Sequence, residues 1–293
     1  MSPVHHFRSE LVAFFSLIER MKSPAVANPC LIGLPYDASS SHLRGAALAP
    51  PLIRAALHSP ARNTWTEALH DLGAPNGLQD VGDLALSSTA DAREQIRVGI
   101  ADILRRGWRP IALGGDHSVT YPILQAMHEA HPSVTILHLD AHPDLYDEFD
   151  GDRFSHACPF ARILEERLAT RLVQVGIRTM NDHQHAQAAR FGVDGIDMRA
   201  WARGVRPQLD GPVYLSIDVD VLDPAFAPGI SHREPGGLTV REVLGLIQDT
   251  GGVLVGADIV EYNPRQDVAD LTATVAAKFV KEVAGRMMRE AAA

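Results

Sequence analysis

Three short segments of this chain carry six side chains suited to ligating metal: Gly-Gly-Asp116-His117-Ser118, Asp140-Ala-His142-Pro-Asp144 and Asp218-Val-Asp220. Each directly follows a short apolar run. In the second and third segments the ligands recur at i, i+2 and i+4, and alternate side chains of an extended backbone share one face. One face can then present Asp140, His142 and Asp144, with Asp218 and Asp220 beside them. With His117 this makes four carboxylates, two imidazoles and no thiolate. Such a hard, oxygen-rich set favours Mn(II) over structural zinc, with Ni(II), Co(II) or Fe(II) as the other candidates. Six ligands exceed what one cation of this class uses. Two divalent cations roughly 3.5–4 Å apart, sharing carboxylates, use them all and supply hydroxide near neutral pH. The pattern therefore predicts metal-assisted hydrolysis.

The elements that must position these segments are legible from hydrophobic pattern. Runs 31–34, 110–113, 134–139, 172–175, 213–217 and 253–255 are almost continuously apolar, as strands buried on both faces of a parallel sheet are. Helical signals separate them. Thr89 is a candidate N-cap for a helix in which Ile96, Ile100 and Ile103 share a face and Gly107 marks the end. Thr239 and Glu242 form a capping box ahead of the stripe Val240, Val243, Leu244 and Ile247. Leu271, Val275, Phe279 and Val283 mark a last helix. Alternating strands and helices predict a three-layer α/β/α fold around a mostly parallel sheet. Ligands of such sheets bind beyond the carboxyl ends of the strands, and all three motifs follow a strand directly. They are expected at the same sheet edge, with Asp116 as a turn residue and His138, in mid-strand, as a hydrogen-bonded core histidine.

Composition narrows the function classes. The 293 residues are 46% hydrophobic and 22% charged, as in an ordinary globular protein with a sizeable core. A net charge of -9 with scattered basic residues argues against a nucleic-acid partner. Cys30 and Cys158 are far apart and in no CxxC pattern, so neither a disulfide framework nor a thiolate metal site is predicted, and a cytoplasmic location is expected. The apolar run 11–18 is bracketed by Glu10 and Glu19 and lacks a basic leader. No apolar span reaches the ~20 residues of a membrane helix. Residues 1–29 are read as an N-terminal extension and 30–293 as one catalytic domain.

The motifs Gly114-Gly-Asp-His-Ser118, Asp140-Ala-His-Pro-Asp144 and Ser216-Ile-Asp-Val-Asp220, continued by Glu234-Pro-Gly-Gly-Leu-Thr239 and Ala257-Asp-Ile-Val-Glu261, resemble the signatures of the ureohydrolase family. That family contains arginases, agmatinases and other guanidino-group hydrolases. The segment 140–156 is closer to its plant-type arginase and bacterial agmatinase-like branch. The resemblance implies one metal held by His117, Asp140, Asp144 and Asp218, and a second held by Asp140, His142, Asp218 and Asp220, with Asp140 and Asp218 bridging. It implies that His156 shuttles protons to the leaving amine and that Glu261 receives the guanidinium. Asp144 counts with these two among the catalytic residues. It also implies a homo-oligomer, a trimer or hexamer, with a related partner subunit as a further possibility.

For the substrate, loop 145–155 and the segment 176–181 are expected to line the entrance. Asp152 stands where plant-type arginases usually carry Asn, and a carboxylate there would repel a substrate carboxylate. With Asp147, Glu148 and Asp150 it points to a cationic guanidino compound, agmatine first; arginine or another guanidine or biguanide is the alternative. Asn181 and His232 are further candidates for the substrate pocket. A reading from another class is a catalytically silent partner subunit; every ligand, His156 and Glu261 being present counts against it.

Overall fold

Six apolar runs become strands at or within a few residues of their expected places. In the computed structural model, which describes residues 28–87 and 91–292, the strands are β1 (Pro29–Gly33), β2 (Gln79–Asp83), β3 (Arg109–Leu113), β4 (Thr135–Leu139), β5 (Arg171–Val175), β6 (Asp194–Ile196), β7 (Pro212–Asp218) and β8 (Val253–Val260). They form one parallel sheet in the order β2-β1-β3-β8-β7-β4-β5-β6. β2 and β6 lack an apolar run. Both are polar, largely exposed edge strands, and an edge needs no buried face on each side. β8 runs past Gly256 to Val260, longer than expected, and so delivers Glu261 to the same edge as the other motifs.

The principal helices are α1 (Ala49–Leu57), α2 (Asp91–Arg105), α3 (Thr120–Ala130), α4 (Pro159–Glu165), α5 (Asp182–Phe191), α6 (Met198–Ala202), α7 (Val240–Asp249) and α8 (Leu271–Ala292). Strand residues alternate between two cores. Leu31, Ile111, Leu137, Leu215 and Ala257 pack with α1, α7 and α8. Ile32, Ala112, Ile136, Tyr214 and Val260 pack with α2, α3 and α4 on the opposite face. Thr239 and Glu242 make the reciprocal capping box of α7. On α8, Val275, Phe279 and Val283 are buried, but Leu271 in the first turn is exposed, which narrows the expected stripe. The expected Thr89 cap lies outside the described residues, as do His5, His6 and the run 11–18. Among the described residues no helix is long and apolar enough to cross a membrane.

Strand order decides where chemistry can occur. β3, β8, β7 and β4 are lateral neighbours, so the residues leaving their carboxyl ends converge although they are distant in sequence. Gly115 shows how tight this junction is: a Cβ there would fall 1.6 Å from the carbonyl oxygen of Tyr36.

Candidate metal centre

His117, Asp140, His142, Asp144, Asp218 and Asp220 meet at the end of these four strands. His117 Nδ1 lies 3.2 Å from Asp140 Oδ2, 3.1 Å from Asp144 Oδ2 and 3.3 Å from Asp218 Oδ2. His142 Nδ1 lies 3.0 Å from Asp220 Oδ2 and 3.4 Å from Asp140 Oδ1. The two groups share Asp140. Backbone donors occupy one oxygen of each central carboxylate: His142 N–H on Asp140 Oδ1, Asp220 N–H on Asp218 Oδ1 and Ala141 N–H on Asp220 Oδ1. The other oxygens of Asp218 and Asp220 face the imidazoles.

Which nitrogen of His117 carries the proton follows from its neighbours. Asp258, fully buried, accepts hydrogen bonds from Thr120 Oγ1 (2.8 Å), Tyr214 Oη (2.8 Å) and Ser216 Oγ (2.7 Å). Having given its hydrogen to Asp258, Ser216 accepts from His117 Nε2 at 3.0 Å. Neutral His117 therefore turns an unprotonated Nδ1 toward three carboxylate oxygens. That atom is buried and meets none of them in hydrogen-bond geometry. A lone pair facing three carboxylates is repulsive unless a proton or a metal cation stands among them, and the oxygen and nitrogen donor set suits a divalent transition ion. The residues fit a metal centre.

His138 is a core histidine, as its position in the strand predicts, but it also touches the site. Gln174 donates from Nε2 to the Pro143 carbonyl (2.7 Å) and to His138 Nδ1 (3.0 Å). His138 must then carry its hydrogen on Nε2, which donates to Asp140 Oδ2 at 2.7 Å. It orients Asp140 and has no nitrogen left for a metal. Asp116 accepts from Ser118 N (3.1 Å) and Ser39 N (2.9 Å) and is a turn residue.

Without metal the site draws in protons. Burial opposes the charge of His117, but Asp140, Asp144 and Asp218 outweigh it and raise its pKa well above the ordinary value. His142 is pushed up to about 12, with Asp220 and Asp140 overcoming burial. Burial, and after it the charge of Asp140, lift Asp220 to about 6. A group with a raised pKa is protonated below that pKa, and a metal needs the bare ligand, so loading must expel protons. Binding of Mn(II) in weak buffer at pH 7.5 is expected to release more than one proton per chain, and affinity to rise with pH. Indicator-dye titration checks this; binding without proton release contradicts it.

Beside the carboxylates lies a cavity of about 180 Å³ lined by Ser41, Asp144, Tyr146, His156, Gln184 and Glu261 among others. His156 Nδ1 is 2.9 Å from Glu261 Oε1, and its Nε2 is 2.9 Å from Ser41 Oγ. Burial works against the His156 cation, but Glu261 prevails and raises the pKa to about 9. Glu261 Oε1 also accepts the His117 N–H at 2.9 Å. Among the described residues no hydrogen bond reaches its Oε2. Asp144 and Glu261 both hold positive φ, 48° and 63°, a conformation that costs a non-glycine residue energy and that is maintained here at two residues of the cavity.

The remaining substrate-site expectations are placed unevenly. His232 lines the cavity, its ring 5.2 Å from that of His156 and 5.9 Å from that of His142. Asn181 is exposed and caps α5, donating also to Tyr146 Oη at 2.7 Å, so it borders the cavity through Tyr146. Asp152 is exposed and absent from the lining; its Oδ1 accepts the Phe154 N–H at 2.7 Å. Its carboxylate braces the loop. Tyr146, Phe149 and Thr179 come from the two segments expected to line the entrance, whereas Ser41 and Gln184 carry no sequence signal beyond loop and cap chemistry. A larger hollow of about 750 Å³ between α5 and α6 holds none of the six ligands.

Comparison with known proteins agrees with this geometry. The profile of the Arginase family matches residues 27–285. Arginase 2, chloroplastic/mitochondrial, of Arabidopsis thaliana is 44% identical over 291 residues, covering 92% of this chain and 83% of its own. The mitochondrial agmatinase of Gallus gallus is 37% identical over 273 residues, covering 86% and 78%. The solved arginase of Medicago truncatula superposes with a TM-score of 0.85 at 40% identity, covering 95% and 93%. With the profile spanning nearly all of the described residues and the motif strands side by side, the chain belongs to the arginase family and is a metal-dependent hydrolase of guanidino compounds with a binuclear centre.

Proposed function

We propose that this chain hydrolyses the guanidino group of arginine, releasing urea and an amine. Two divalent cations, Mn(II) first, would be held by His117, Asp140, Asp144 and Asp218 and by Asp140, His142, Asp218 and Asp220. The observation that carries this reading is the buried His117 Nδ1, without a hydrogen-bond partner, facing three buried carboxylate oxygens. The cations, when bound, activate water near neutral pH. Glu261, whose Oε1 is engaged by His117 and His156, turns Oε2 to the planar guanidinium. His156 is protonated on both nitrogens below about pH 9; it keeps Nδ1–H on Glu261 and has Nε2–H, resting on Ser41, to give to the departing nitrogen.

Arginine stands ahead of agmatine because relatives named arginases reach 44% identity, and because Asp152, on which the agmatine expectation rested, does not line the cavity. One observation favours agmatine as a second reading: among the described residues no Lys or Arg lines the cavity to meet a substrate carboxylate. Steady-state kcat/KM after Mn(II) loading decides between them. Arginine is expected to exceed agmatine by at least about tenfold, a difference of about 1.4 kcal/mol in transition-state binding. A tenfold preference for agmatine defeats the arginine reading, and absence of urea from every guanidino substrate defeats the whole proposal.

A further inference from the structure

Gln184 is the third helical residue of α5, and 95% of its surface is buried, yet it lines the cavity. Its Oε1 accepts the backbone N–H of Asn181 at 3.3 Å, while Asn181 Oδ1 accepts the Gln184 N–H at 3.0 Å. This capping box fixes the amide, because an oxygen is required to accept the Asn181 N–H. Nε2 is thereby left with both hydrogens, and among the described residues it donates to nothing. The side chain that carries it is part of the cavity wall. A nearly buried amide with two unspent donors at the wall of a polar cavity calls for an acceptor on the bound molecule.

We propose that Gln184 determines substrate specificity by donating from Nε2 to a carboxylate on the tail of the guanidino substrate. This rests on the guanidino-hydrolase reading above. The neighbouring wall supports it. Ser41 and Thr179 line the same cavity, and Tyr146 Oη accepts from Asn181 Nδ2 and so retains its own hydrogen for donation. A carboxylate can therefore be met by neutral donors, which answers the lack of Lys or Arg among the described residues of the lining. Neutral donors suit a zwitterionic tail, since they bind the carboxylate without repelling an adjacent ammonium.

The capping box supplies a clean test. Glu serves in that box as well as Gln does, so Gln184→Glu keeps the start of α5 while exchanging the donor for a second carboxylate. With Mn(II)-loaded protein of matched metal content and Tm, kcat/KM is measured for arginine, 4-guanidinobutyrate and agmatine. The variant is expected to lose at least about tenfold on the two carboxylate substrates, mainly through KM, and to hold or gain on agmatine. Gln184→Ala is expected to weaken the carboxylate substrates less and to leave agmatine unimproved. A proportional change in all three substrates, or a ratio that stays constant, assigns Gln184 to capping alone and overturns the proposal. So does a wild-type enzyme that accepts agmatine and neither carboxylate substrate. If wild type releases urea from none of the three, the guanidino-hydrolase reading itself has failed; turnover with an unchanged ratio removes the Gln184 assignment and leaves that reading intact.

Discussion

Asp140→Ala is expected to lower urea release by at least about a thousandfold and to leave the chain unable to hold two divalent cations. Asp140 is common to the His117 and His142 groups, with Oδ2 3.2 Å from one imidazole and Oδ1 3.4 Å from the other. Its oxygens each accept one N–H, from His142 backbone and His138 Nε2, which leaves one free direction on each for a cation. Alanine removes both attachments at once. It also removes one of several crowded buried carboxylates, so the metal-free variant loses repulsion along with the His138 hydrogen bond and is expected to stay folded. Metal content and circular dichroism of the purified variant check this. Two tightly bound ions with substantial turnover would show that Asp140 does not bridge the centre.

Glu261→Gln has the second-largest expected effect. The substitution keeps shape and an oxygen able to accept the His117 N–H, but the remaining amide nitrogen offers the guanidinium no charge and presents a donor to a donor. Losing one partner of a buried charged pair costs about 2–5 kcal/mol, which corresponds to a fall in kcat/KM of roughly 30-fold to several thousandfold. Metal content should not change, because Glu261 is not among the proposed ligands. The pH profile should move as well. Burial depresses the His156 pKa and the Glu261 charge is the first influence raising it, to about 9. A proton donor loses activity as pH rises through its pKa. Removing the Glu261 charge should therefore bring the alkaline loss of activity to lower pH. An alkaline limb that stays in place would separate His156 from the proton transfer.

The parts of this molecule legible in sequence are those whose signal is local. A strand buried on both faces must be apolar throughout, and so β1, β3, β4, β5 and β7 declare themselves, each with its motif or loop at the carboxyl end. Lateral contacts are not local. That β8 lies between β3 and β7 is what brings Asp258 behind Ser216 and sets Glu261 beside His156, and no spacing within the chain encodes it. Likewise His138 reads correctly as a core residue, while its grip on Asp140 depends on Gln174 from the next strand. Asp152 illustrates the opposite failure. Its charge and position in the loop suggested a carboxylate at the entrance, but a side chain in a turn can serve its own backbone, and this one accepts from Phe154 N–H. Gln184 was hidden for the same reason in reverse, since a capping residue gives no sign that its side chain also lines a cavity.

Titration of metal-free protein with Mn(II), following bound metal and urea release from arginine and agmatine together, tests the central claim most directly. Two ions per chain are expected, with activity appearing as the second site fills. Full activity at one ion per chain, or in the absence of bound metal, would contradict a binuclear guanidino hydrolase.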